Sequence, residues 1–171
     1  MSNAIFLIDA NIMIQAHRLY YPFDFSSAFW DALIREHKKR RIFSISHVKR
    51  EICRSSEPEK ADLLEQWVRD VLPDSFFLEP DDAVILQYKA IMQWSNSQLR
   101  YGSGAQAHFA SGADGWLIAY AAVHDMVVVT HEKPEPNSAR IKIPDVCLKF
   151  NVTYVNTFEM LRQLDVRFVL Q

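Results

Sequence analysis

Four short apolar runs constrain this chain most: Ile5-Phe6-Leu7-Ile8, Ile42-Phe43-Ser44-Ile45, Met126-Val127-Val128-Val129 and Val152-Thr153-Tyr154-Val155. None alternates strictly with polar residues, so each reads as a strand buried on both faces, as in a parallel sheet. Helical periods fill the gaps. Leu63, Leu64, Trp67, Val68 and Val71 fall on one helix face, with Glu59, Asp62, Glu65 and Arg69 covering the other. Val84, Ile85, Tyr88, Ile91 and Met92 repeat the pattern behind Asp81 and Asp82, which are suited to cap that helix. The run from Trp116 to Val123 is apolar nearly all round, which predicts a helix sandwiched against the sheet, with Asp114 at its start. Strands alternating with helices imply right-handed crossovers and a doubly wound α/β sheet whose sites form at the carboxyl ends of the strands. All 4 glycines lie between Gly102 and Gly115, so the stretch entering Asp114 is expected to be the most mobile.

The 171 residues match one domain, spanning 1–171, and are enough for a full core without disulfide or metal staples. An apolar share of 49% and a charged share of 23% are those of a globular chain, with no segment composed like a disordered region. No apolar run reaches the roughly 18 residues of a membrane span, and Met1 to Ile8 lacks the regions of a signal peptide. A cytoplasmic protein with no membrane contact is expected. Cys53 and Cys147 stand far apart without CxxC spacing, so buried thiols are expected rather than a disulfide or a zinc site. A net charge of −2 gives no global attraction to nucleic acid; phosphate binding would need a local basic patch or bound cations.

Four carboxylates carry the chemistry. The first strand ends in Ile8-Asp9-Ala10-Asn11, the second leads into Ser46-His47-Val48-Lys49-Arg50-Glu51, and the strand ending at Val129 runs into Thr130-His131-Glu132. Asp114 opens the apolar helix. Each has an ordinary reading: Asp9 as a helix cap, Glu51 as solvated surface, Asp114 as a favourable charge at a helix N-terminus. Jointly, three map onto one edge of the predicted sheet and Glu51 onto an adjacent helix. Carboxylates brought together there would repel unless a hard divalent cation neutralised them, and Mg²⁺ or Mn²⁺ prefers oxygen ligands. With no cysteine or serine nucleophile motif, the fitting chemistry is metal-assisted hydrolysis of a phosphodiester.

The order strand, Asp-Ala-Asn, helical glutamate, Ala-Asp-x-x-Ile-Ala, then strand into Thr-x-acid resembles the PIN-domain family. The matching residues are Asp9 and Asn11, Glu51, Asp114 with Ile118 and Ala119, and Thr130 with Glu132. The fourth acid is Glu132 where the family commonly has aspartate, and His131 beside it matches no family role. The segment Tyr20-Tyr-Pro-Phe-Asp-Phe, with Trp30 after it, and the segment Lys142-Ile-Pro-Asp-Val-Cys are similar to a PIN subfamily of unassigned function. The resemblance implies a PIN-like three-layer α/β/α fold with a central mostly parallel sheet. It also implies a Mg²⁺- or Mn²⁺-dependent ribonuclease, often the toxin of a bacterial toxin–antitoxin pair as in VapC-like proteins. Asp9, Glu51, Asp114 and Glu132 would be the catalytic metal ligands, supported by Asn11 and Thr130. RNA would be the substrate, a cognate antitoxin the partner, and a homodimer the assembly. A PIN fold that binds RNA or protein without cleaving, and a structure-specific DNA nuclease, are the alternatives.

Other features weigh less. Lys38-Lys39-Arg40-Arg41, with Lys49, Arg50 and Arg54, could grip an RNA backbone near Glu51 or simply end a solvated helix. Tyr20, Tyr21, Phe23, Phe25, Phe29 and Trp30 could stack on unpaired bases, although core packing or a partner interface explains them as well. The 6 histidines show neither HxxxH nor HExxH spacing, and no phosphate-binding glycine loop occurs. A haloacid-dehalogenase-like phosphatase would need an aspartate where Asn11 stands.

Overall fold

The computed structural model describes residues 4–24 and 26–168. Strand β1 (Phe6–Ile8) leads into helix α1 (Ala10–Gln15), a π-helical turn at Ala16–Tyr20 and helix α2 (Ser27–Lys38). Strand β2 (Ile42–Ile45) is followed by α3 (Ser46–Ile52), α4 (Leu63–Asp70) and the short strand β3 (Phe77–Leu78). Three helices follow, α5 (Asp82–Ser97), α6 (Ser103–Ser111) and α7 (Asp114–His124), before β4 (Val127–Val129), α8 (Ile143–Lys149), β5 (Tyr154–Val155) and α9 (Thr157–Gln163).

The five strands form one sheet in the order β3-β2-β1-β4-β5, every neighbouring pair parallel. Phe6, Leu7 and Ile8 are fully buried, as a central strand covered on both faces requires. The chain moves outward from β1 to β3 and then returns to the other side of β1. Right-handed crossovers therefore place α1–α4 on one face and α5–α8 on the other. The packed pairs agree: α3 touches α1 and α4, whereas α7 touches α5 and α8. At β1 and β4 the strand order reverses, which opens a crevice at their carboxyl ends.

The four apolar runs all become strands, the second at full length and the others shortened. Strand β3 has no such signal because two residues are too short for a period, and it pairs only through Ser44↔Phe77 and Ile45↔Leu78. Helix α7 buries Leu117, Ile118, Ala119, Tyr120 and Ala121, as its apolar run predicts. In α5, Asp81 is the cap, accepting from the Val84 amide at 2.9 Å, and Asp82 is already helical.

Two expectations about helices are corrected. In α4 the buried residues are Leu64, Val68 and Glu65, while Leu63 and Val71 are exposed and Asp62 is the N-cap. Glu65 is held inside by Arg69 and by the Ser55 amide, which is why a charged residue can occupy the inner face. The glycine-containing stretch, expected to be the most mobile, is largely helical. At Gly115 a Cβ would meet Met92 Cε at 2.7 Å and Tyr88 Cε2 at 3.1 Å, so this glycine permits close approach of α5 to α7.

The aromatic block divides. Tyr21 stacks on Phe29 at 4.5 Å, Phe23 lies 4.4 Å from Trp30, and Trp30 meets Trp67 edge-on at 4.8 Å, all centroid distances. These rings build the core, whereas Tyr20 points outward; Phe25 lies outside the described residues.

Candidate metal centre

Asp9 is positioned by the sheet ladder itself, because its backbone N–H continues the β1–β4 pairing by donating to the Val129 carbonyl at 3.2 Å. It occupies the N-cap position of α1, yet its side chain makes no capping hydrogen bond. The carboxylate is 1% exposed, and its Oδ2 has no hydrogen-bond partner. A buried oxygen left this way is costly unless something outside the protein satisfies it. Burial raises the Asp9 pKa well above the ordinary range, and the charges of Asp114, Glu51 and Glu132 raise it further; the Asn11 backbone N–H offsets part of this.

Helix α7 places Asp114 in its first turn. Burial first, and then the Glu132 and Glu51 charges, push its pKa up to about 7, against a smaller lowering by Lys142. Glu51 lies near the end of α3 and accepts from the Ala113 amide at 2.8 Å, so it reaches across to the entrance of α7. A side chain at Gly112 would crowd the same oxygen at 3.3 Å. Ser46 is the first residue of α3 and donates to Glu79 at 2.7 Å.

Beyond β4, the buried Thr130 accepts the Glu132 backbone N–H at 3.2 Å and so fixes the turn that carries this glutamate. Glu132 accepts from the Ile143 amide at 2.8 Å and stands 3.7 Å from Lys142 Nζ. Asn11 is exposed and shares a cleft of about 430 Å³ with Glu132, Tyr20, His131 and Lys133. Asp114 and Glu132 line a second cleft of about 460 Å³ with His108, Arg140 and Lys142, and Glu51 borders a third of about 390 Å³ with His17, Arg18 and Arg54.

The fold thus brings all four acids within electrostatic reach of one another at the crevice. Among the described residues, however, no group of three or more His, Cys, Asp and Glu side chains is drawn close enough to hold an ion as placed. The two observations are compatible. Uncompensated carboxylates repel, and Glu51 and Glu132 are each turned onto a backbone amide. The donors fit a hard divalent cation in kind: oxygen ligands, one of them a buried orphan.

The family model for DUF4411, a domain of unknown function, matches residues 6–168. This chain belongs to the DUF4411 family. Among solved structures, FitAcB from Neisseria gonorrhoeae is similar, with a TM-score of 0.54 and 17% identity over 90% of this chain and 99% of that one. At that identity the likeness carries the fold, a PIN-like α/β arrangement around a parallel sheet. No curated protein matches.

In this DUF4411 chain the basic run Lys38–Arg41 does not approach Glu51. It forms the turn entering β2 at its amino end, the sheet edge opposite Asp9, and Lys39 is paired with Glu36 at 2.9 Å. The cations lining the clefts beside the acids are Lys142, Arg140, Lys133, Arg18, Arg54 and Lys60. Of these, sequence reading singled out only Arg54 as basic. The others are scattered single residues, and no local pattern marks them because only the fold brings them together.

Proposed function

We propose that this DUF4411 protein is a metal-dependent endoribonuclease that hydrolyses RNA phosphodiester bonds, acting in the cytoplasm as the toxin of a toxin–antitoxin pair. The observation that carries the reading is the buried, unpartnered Oδ2 of Asp9 amid three further carboxylates at the crevice. The PIN-like fold and the VapC-like order of motifs support the ribonuclease and toxin assignments, and with them an antitoxin partner and a homodimer.

Asp9 and Asp114 would hold Mg²⁺ or Mn²⁺, with Glu51 and Glu132 turning from the Ala113 and Ile143 amides to complete the set. When bound, the ion supplies positive charge that lowers the pKa of a water nucleophile and stabilises the leaving oxygen. The protein's own residues do the remaining work. Thr130 keeps the Glu132 turn in place, Asn11 lines the cleft beside it, and Lys142 and Arg140 place positive charge where a phosphate would lie. Burial and the neighbouring acids hold the Asp114 pKa at about 7 in the free protein, so near neutrality Asp114 would give up its proton to serve as a ligand.

The test is cleavage of matched RNA and DNA oligonucleotides with Mn²⁺. Wild type should cut the RNA, and Asp9→Asn, folded normally, should lose roughly 100-fold or more of the rate. Undiminished cleavage by that variant would sink the assignment, and preference for DNA would shift it to a DNA nuclease. The separation of the acids as placed favours one further reading, a PIN fold that binds without cutting. It predicts RNA affinity that survives Asp9→Asn and no turnover with any divalent ion.

A further inference from the structure

Tyr20, His131 and Phe158 come from distant parts of the chain and meet at the rim of the carboxylate crevice. The ring centroids of Tyr20 and His131 are 5.9 Å apart, those of Tyr20 and Phe158 6.1 Å, and those of His131 and Phe158 6.4 Å. Tyr20 is 46% exposed and Phe158 43%. Tyr21, next in sequence, is stacked on the fully buried Phe29, so Tyr20 stands outside the core packing. Three features hold the cluster in place. Tyr20 ends the π-helical turn, which closes through the Tyr21 N–H to Ala16 carbonyl bond at 2.6 Å; such turns recur at functional sites. His131 Nε2 lies 3.1 Å from the Thr157 hydroxyl, which fixes its ring, and Phe158 stands in the first turn of α9.

We infer that these three rings form a platform on which one unpaired base of a single-stranded RNA stacks against Tyr20, with Phe158 edge-on to Tyr20 at 84° and His131 tilted by 41° bordering it, the phosphate of that strand lying at the carboxylates. The inference rests on the nuclease reading for the position of the phosphate, while the platform stands on the rings themselves. Two observations select this occupant. The platform is continuous with the carboxylate crevice, because His131 precedes Glu132 in the chain and both line the cleft that holds Tyr20 and Asn11. The adjoining cleft of about 290 Å³ places Phe158 with Lys133, a cation suited to a flanking phosphate. Aromatic faces accept any base, so the platform would orient the strand and favour unpaired over paired RNA without reading a particular base.

The experiment uses the full chain and a single-stranded oligoribonucleotide carrying 2-aminopurine, whose fluorescence is quenched on stacking. Binding is measured in EDTA, and cleavage is measured separately with Mn²⁺. Tyr20→Ala and Phe158→Ala should each weaken binding about 10-fold and reduce quenching. They should raise KM with kcat nearly unchanged, while Tyr20→Phe behaves as wild type. An oligonucleotide made abasic at the stacked position should bind wild type as weakly as it binds Tyr20→Ala. If both alanine variants bind and quench like wild type, or if the abasic strand binds wild type as tightly as the intact one, the platform is overturned, whatever protein partner the rings contact. If wild type never cleaves with any divalent ion yet the alanine variants lose binding and quenching, the nuclease reading fails and the platform stands.

Discussion

Asp9 and Asp114 set the pH behaviour of the metal-free protein. Both have pKa values raised in the fold, Asp114 from the ordinary 3.8 to about 7. A raised carboxyl contributes stability that is complete below the unfolded pKa and is lost as pH rises through the folded one. The metal-free protein should therefore lose thermal stability as pH rises between about pH 4 and pH 7, the interval spanned by the Asp114 shift. Asp114→Asn should flatten that slope, which melting curves across the range would show; an equal slope in the variant would count against the burial argument. Asp9→Asn should melt no lower than wild type at pH 8, because it removes a buried charge that makes no capping bond. In the sequence, Asp9 and Asp114 are legible from their positions at a strand end and a helix start. Glu51 is legible there only through the order of motifs that resembles the PIN family; its local context, a helical glutamate, looks like surface, and in the structure its reach to the Ala113 amide distinguishes it. Arg140 and Lys142 stand far in sequence from Asp114, and only the fold sets them beside it and Glu132.

Local elements decide how firmly the rims of the crevice are held. Helix α9 begins with a capping box in which Asn156 accepts the Glu159 amide at 2.9 Å and Glu159 accepts the Asn156 amide at 3.0 Å. Asn156→Ala should cost about 1 kcal/mol, a melting-point loss of roughly 2–4 °C, and loosen the first turn that carries Phe158. At Gly115, a valine would press on Met92 and Tyr88, the ring stacked on Trp116 at 3.7 Å between centroids. Gly115→Val should cost about 2 kcal/mol by overpacking, measured as a drop in the denaturant midpoint. The glycine's spacing gave no hint of this, because a need for close approach and a need for flexibility look alike in a sequence. The inward Glu65 of α4 was hidden likewise, since its partners Arg69 and Ser55 define its environment only after folding.

At the level of the whole molecule, the alternation of apolar runs and helical periods was enough to read a parallel α/β sheet, and it pointed to the carboxyl edge as the candidate site. The strand order β3-β2-β1-β4-β5 needed the coordinates, because β3 is two residues long and carries no period. Among the described residues no helix is long and apolar enough to cross a membrane. A divalent ion that binds the folded crevice and not the unfolded chain should raise the melting temperature in proportion to its occupancy, and more at pH 8 than at pH 5, when the acids are ionised. Differential scanning with Mn²⁺ at the two pH values would check this, and an equal lift at both would contradict it.

The central place of β1 bears on synthesis as well as on chemistry. Of the five strands in the sheet β1 is made first, and one of its two neighbours, β4, comes from much later in the chain. Until β4 docks, one side of β1 remains an open hydrogen-bonding edge, and Asp9 has neither Asp114 nor Glu132 beside it. A growing chain on the ribosome would carry no assembled crevice until β4 had been made and docked, so any activity the crevice supports would switch on all at once.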